Sequence, residues 1–360
     1  MNRRALLLAV VFLVSPIPAA RLSAQAPTET PGLRLNGIEL TIGGRVQTQF
    51  NTTSVTSQPP SQLFFRRARL EVSVQVDERV SGTIQPDFAG DEVEIKDAYL
   101  NFALTPGLEI LAGRAYRPFG LLEQTSSKRI VPIERGLRIR GLAAMDEYAV
   151  LSGLRYSNRD IGIQIHGDPE GAPAELSYAA GVLRGPLHGG VGDQDSYQFA
   201  ARATMRPHDA LRVGAGWSNR DFARPGAGVG DIQLRRGNAF EMDVEYGSFE
   251  PGFHLLAELS RGDFDPFDEA GFWGAHAWLA YRTETVEGVE VRLEPLLRVS
   301  YADVDAHTGP GVAPGGTLLT PGLNVYLSPL NRIMINYDLW LSDGTSPNAR
   351  SLKAMFQFAF

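Results

Sequence analysis

The chain has 360 residues, 21% of them charged, and a formal net charge of −7. That acidic balance argues against a nucleic-acid binder. There is no cysteine, which removes a disulfide framework, thiolate catalysis and Cys-ligated zinc.

Residues 1–26 have the form of an export signal: Arg3 and Arg4, an apolar run from Leu6 to Val14, then the small-x-small site Ala24-Gln25-Ala26. The run is too short to cross a bilayer as a helix, and no later stretch approaches ~20 uninterrupted apolar residues. Cleavage would also remove Arg3, Arg4 and Arg21, leaving the mature chain more acidic. Residues 27–39 read as a short periplasmic segment and 40–360 as one domain.

From there the sequence resolves into alternating segments of roughly 10 residues, the period of strands and not of helices. In chain order the clearest are "LEVSVQVD" (70–77), "RDIGIQIHG" (159–167), "YQFAARATM" (197–205), "LRVGAGWS" (211–218), "FEMDVEYG" (240–247), "VEVRLEPLLRVSY" (289–301), "RIMINYDLWL" (332–341) and "SLKAMFQFAF" (351–360). Apolar faces such as Leu70/Val72/Val74, Ile161/Ile163/Ile165 and Phe356/Phe358/Phe360 would meet lipid. Connections alternate between short (77–80, 105–107, 206–209, 250–252, 328–331) and long (51–62, 120–158, 184–195, 219–236, 303–316, 342–350). This is the pattern of an antiparallel outer-membrane β-barrel with short periplasmic turns. Counting every plausible strand, including 148–156, gives 17. An even count of 16 requires 120–158 to be one connection of 39 residues, long enough to fold inward and narrow the lumen.

"FFRRARLEVSVQVDERVSGTIQPDF", "IKDAYLNF", "GRAYRPFGLLEQTSSKRIVPIERGL" and "NRDIGIQIHG" resemble the phosphate-selective porin O and P family, most specifically over 60–185. The resemblance implies a 16-stranded outer-membrane barrel, a homotrimer, and an arginine-lined constriction that binds small anions, phosphate or polyphosphate among them. It maps the family's anion site onto Arg66 and Arg67, its aspartate onto Asp87, the basic residue before Pro-Phe onto Arg117 and the loop lysine onto Lys128. Phosphate-specific members carry a ladder of lysines; this chain has three, Lys96, Lys128 and Lys353.

Strand parity assigns faces independently. With Leu70, Val72 and Val74 outward, Arg67, Arg69, Glu71, Ser73 and Gln75 face the lumen, and Arg66 would point outward near the extracellular rim. Arg45, Arg202, Arg212, Arg292 and Arg298 also face inward, as do Glu241, Asp243, Glu245, Glu258 and Glu294. A charge at mid-membrane on the lipid face costs about 2–4 kcal/mol, which supports that assignment. The faces of 107–118 are ambiguous, so parity does not decide between Arg114 and Arg117. The pattern thus places an arginine wall, with Arg45, Arg67 and Arg69 central, opposite an acidic wall at "EMDVEY". Guanidinium suits anion recognition because it stays charged and offers a planar fork. Lys128, Arg129, Arg135, Arg138 and Arg140 lie in the long connection, near the constriction if it enters the pore and beside lipopolysaccharide phosphates if it does not.

No metal or cofactor is indicated. "GDFDPFDEAG" lacks the EF-hand ligand spacing, the six histidines show no ligand pattern, and "GAGVGD" lacks a strand–helix setting. Neither a G-x-S-x-G motif nor a nucleophile–base pair points to an enzyme. The expectation is a porin for small anions, with a general diffusion porin as the alternative. A barrel-anchored hydrolase or adhesin is the reading from another class.

Overall fold

The computed structural model describes residues 33–35, 37–185, 196–226, 232–285, 290–305, 315–343 and 347–360. Residues 1–26, read above as an export signal, lie outside the described residues. A three-residue strand, β1 (Leu33–Leu35), folds back on the start of β2, with Leu33 opposite Leu40.

Sixteen strands then follow: β2 (Ile38–Thr52), β3 (Ser61–Gln75), β4 (Val80–Asp87), β5 (Glu94–Thr105), β6 (Leu108–Tyr116), β7 (Arg159–Gly167), β8 (Ser177–Gly185) and β9 (Ser196–His208) form the first half. The second half is β10 (Leu211–Pro225), β11 (Ile232–Tyr246), β12 (Gly252–Asp265), β13 (Ala270–Arg282), β14 (Arg292–Val304), β15 (Gly316–Tyr326), β16 (Arg332–Ser342) and β17 (Ala349–Ala359). Each pairs antiparallel with the next, and β17 pairs with β2, so the sheet closes and leaves no edge in the membrane. The closed barrel of 16 is the even count that parity demanded. Residues 148–156 do not span: most of them belong to the helix α2 (Glu147–Gly153) inside the long connection.

The alternating faces fall as the sequence pattern requires. Ile161, Ile163, Ile165, Phe356, Phe358 and Phe360 all lie exposed on the outer surface, and the residues between them point inward. Two expectations need correction. The span 219–236 is no long loop: β10 and β11 remain in register up to Pro225 opposite Ile232. Arg236 Nε donates to Asp221 Oδ1 at 3.0 Å across this hairpin, and Trp217 Nε1 donates to Asn238 Oδ1 at 3.2 Å. Those cross-strand pairs hold 219–225 and 232–236 as strand. The second correction concerns Arg66, which does not point outward. Gln47 stands opposite Arg67 but Thr48 opposite Phe65, so Arg66 is an extra residue, a β-bulge. The bulge turns Arg66 and Arg67 to the same side of the strand.

The connection between β6 and β7 folds into the barrel. It carries a short turn of helix, α1 (Leu121–Gln124), and then α2, whose N-terminus is capped by Asp146 accepting from the Ala149 amide at 3.0 Å. Its apolar side chains cover the inner surface of β11 to β17. Leu121, Leu122, Ile130 and Val131 pack on Leu256, Trp278 and Leu296; Phe119, Val150, Leu151 and Tyr156 pack on Phe272 and Ala302; Ile133 sits between Met334 and Met355. Burying such a side chain is worth about 1.5–3 kcal/mol. The loop is therefore a fixed lining and not a loose lid. Gly274 makes this seat possible: a Cβ there would lie 2.5 Å from Glu147 Cγ.

Candidate constriction site

The tip of the inward loop is clamped by side chains that reach in from the barrel. Gln47 Nε2 donates to Ser127 O at 3.1 Å, Gln357 Nε2 to Lys128 O at 3.0 Å and Arg332 Nη2 to Ile130 O at 2.7 Å. Asn324 Nδ2 donates to Val131 O at 2.9 Å, and the Ile133 amide to Asn336 Oδ1 at 2.7 Å. Arg298 Nη1 then donates to Glu134 O at 2.6 Å. The backbone of 127–134 is thus tied to β2 and β14–β17, and Glu134, Arg135 and Arg138 lie beside the bulge on β3.

A pocket of about 200 Å³ lies there, lined by Arg66, Arg67, Glu134, Arg135, Arg138 and Tyr148 among others. Arg66 clasps Glu134 with two bonds of 2.8 Å, from Nε and Nη2. Arg67 Nη1 donates to Gln47 Oε1 at 2.7 Å, and no carboxylate lies within ion-pair distance of it among the described residues. Arg135 donates Nε to Leu122 O and Nη2 to Thr125 O, at 2.9 and 2.6 Å. Arg138 is over half exposed, with Nε 3.8 Å from Glu134. Burial raises the affinity of the Glu134 carboxyl for its proton, but the Arg66 guanidinium more than offsets this and holds it well below the usual carboxylate range.

One step toward the periplasm, Arg45 stands opposite Arg69. Arg69 Nε is paired with Asp87 Oδ2 at 2.7 Å, and Arg45 Nη2 donates to Gln85 Oε1 at 3.1 Å. Lys128 is half-buried beside Gly43, and burial pushes its ammonium below its ordinary value. Below this level a vestibule of about 390 Å³ is lined by Ser73, Thr83, Tyr99, Asn101 and His166.

Of the sequence-assigned residues, Arg66 and Arg67 line the pocket, and Arg45, Arg69, Asp87 and Lys128 lie just below it. Arg117 stands apart: it is fully buried toward β7–β10, where Nη2 meets Asp160 Oδ2 at 2.5 Å and Nη1 donates to Ser218 Oγ at 3.1 Å. The other basic residue left open by parity, Arg114, lies opposite Ala98 on the face that carries the exposed Leu100 and Phe102, and donates to Ile95 O at 2.9 Å. The expected acidic wall does not confront the arginines across water. Asp243 is 2.6 Å from Arg202, Glu241 also pairs with Arg202, and Glu258 Oε2 accepts from the Leu122 amide at 3.1 Å beneath the loop. Gln47 and Gln85 hold Arg67 and Arg45 without belonging to the sequence-assigned set; the polar residues alternating along "RVQTQFN" are the signal for the first.

The family model for phosphate-selective porin O and P matches residues 40–245. The chain belongs to that family. This porin shares its fold with solved outer-membrane proteins at low sequence identity. They include an anion-selective porin from Comamonas acidovorans (13% identical, covering 90% of this chain and 100% of that one, TM-score 0.61). The outer membrane channel DcaP of Acinetobacter baumannii is another (12% identical, 91% and 99% covered, TM-score 0.59). A third is in-vitro folded OmpT of Vibrio cholerae in its trimer form (11% identical, 90% and 100% covered, TM-score 0.57). No curated protein matches the chain in sequence. Family and fold place this porin among channels of the bacterial outer membrane.

Proposed function

We propose that this porin conducts small anions by passive diffusion, with inorganic phosphate or polyphosphate as candidate substrates. The observation that carries the reading is the pocket between β3 and the loop, with four arginines and one carboxylate among its lining residues. Arg66, Arg67, Arg135 and Arg138 act as the constriction charges. Arg69 and Lys128 extend the positive field downward, and Arg45, which donates to Gln85 and does not line the pocket, adds to that field from behind the wall. Rings of such groups set anion preference, and Asp87 tempers Arg69 so that the ion is released. Arg117 contributes through its field alone.

The pairing of Arg69 with Asp87 and of Arg66 with Glu134 favours the alternative, a general diffusion porin in which opposed charges orient polar solutes. Current through single pores in planar bilayers separates the two. In a potassium chloride gradient the anion reading requires a reversal potential of anionic sign and inhibition of chloride current by phosphate. A reversal potential near zero with no inhibition would leave general diffusion. We further propose export by the residue 1–26 signal, assembly as a homotrimer, and contact of the outer surface with lipid and lipopolysaccharide. That contact is supported by exposed Arg261, flanked outward by the aromatic residues Phe240 and Trp273.

A further inference from the structure

The pocket holds a carboxylate on a stretch of loop whose main chain is already tied to the barrel by other bonds. The main chain at Glu134 is fixed through its carbonyl, which accepts from Arg298. Its side chain instead turns into the pocket at 4% exposure and fills the fork of Arg66 with two bonds of 2.8 Å. Oε1 also accepts from Gln49 Nε2 at 3.2 Å, and Arg138 Nε stands 3.8 Å away. That is the arrangement a bound phosphate or carboxylate would adopt. Meanwhile Arg67 Nε has no acceptor among the described residues, and Arg135 is bonded only to backbone carbonyls. Four guanidinium groups around about 200 Å³ with no internal anion would hold a divalent ion too firmly for throughput.

We propose that Glu134 is a built-in competitor of the transported anion: it occupies the Arg66 fork and so sets the anion concentration at which the pore saturates. Arg67, Arg135 and Arg138 still attract a passing ion, while the carboxylate prevents it from settling into the strongest fork. This inference rests on the reading of the pocket as the anion path.

The test is single-channel conductance across a range of potassium chloride concentrations, with phosphate inhibition of chloride current, in the full-length porin. Glu134→Gln is expected to lower both the half-saturating chloride concentration and the inhibitory phosphate concentration by about tenfold. Glu134→Asp, which keeps the charge, should restore values near the wild type, a rescue that a purely structural role would not produce. Arg66→Gln leaves the carboxylate unpaired and should shift both concentrations upward, which keeps the inference open to refutation if Glu134→Gln does not assemble. Unchanged saturation and inhibition in Glu134→Gln, in a porin whose wild type is anion-selective, would overturn the role of Glu134 alone. A shift of Arg66→Gln in the same direction as Glu134→Gln would overturn it equally. A wild type without anion preference would overturn both this inference and the reading beneath it.

Discussion

Reversing the charge of Arg67 should change the selectivity of the pore more than any other single substitution on β3. Arg67 is 2% exposed, lines the pocket and has no carboxylate partner of its own among the described residues, so its charge is weakly screened and uncompensated. In a pocket of about 200 Å³ a central anion lies ~6 Å from the guanidinium. At an effective dielectric of ~20, one unit charge at that distance is worth about 3 kcal/mol. Arg67→Glu changes the charge by two units. If water and ~0.1 M salt leave a third of that, about 2 kcal/mol remains. That corresponds to a fall on the order of thirtyfold in anion entry, with cation entry favoured in the opposite sense. Arg67→Gln should produce roughly half the free-energy change, and Arg67→Lys should keep the reversal potential while weakening phosphate inhibition, because lysine keeps the charge and loses the fork. The assay is the reversal potential of single pores in a potassium chloride gradient. A value for Arg67→Glu equal to the wild type would refute the reasoning and reduce Arg67 to a structural partner of Gln47.

Three further outcomes follow from the loop and the seam. Gly274→Val should displace α2, because its Cβ would sit 2.5 Å from Glu147 Cγ; we expect a loss of about 1–3 kcal/mol and altered conductance, since Tyr148 and Ser152 line the pocket. Unchanged melting and conductance would place α2 elsewhere. Burial, and then the charge of Glu258, push the Glu147 carboxyl well above the usual carboxylate range. The folded chain then keeps a proton that the unfolded chain has released, so this stability is full below about pH 4.3 and is lost as pH rises toward the elevated folded value. Glu147→Gln should flatten the resulting decline in the melting midpoint as pH rises above about 4.3; an unaltered slope would exclude Glu147 as its source. Finally, Phe360 exchanges backbone bonds of 3.0 and 3.3 Å with Gly44 where β2 meets β17. Deleting it should remove about 1 kcal/mol per bond and reduce the heat-modifiable, folded form on gels, while normal amounts of that form would argue that the seam closes without it.

The barrel was legible because its signal is local. Period-2 alternation and the parity of short and long connections depend only on neighbouring residues, and they sufficed for Ile161/Ile163/Ile165 outward and Arg45, Arg67 and Arg69 inward. The position of Arg66 was not legible, since a bulge is a mismatch between two strands and leaves no mark in either alone. The role of the charges facing inward was likewise hidden. Arg202, Arg298 and Glu294 do point to the axis, yet Arg298 and Glu294 bond the loop or its clamp, and Arg202 neutralises Glu241 and Asp243. Parity gives direction but not depth. What lies between a side chain and the water was decided by where 117–158 folded. The reading of 219–236 as a long connection failed because pairs such as Asp221–Arg236, distant in sequence, extend both strands into it.

The bulge on β3 also gives two neighbouring arginines different places in the architecture. Without Arg66, the strand would run from Phe65 outward to Arg67 inward with its ladder unbroken, and every residue on either side would keep its present face. Arg67 is therefore part of the barrel's alternation, and Arg66 is an addition to it. A single inserted codon could have introduced that second charge into an already working pore without reworking any strand. The same position is where one residue could be gained or lost between relatives while the wall stays closed, so that the charge of the channel can evolve at a different pace from its architecture.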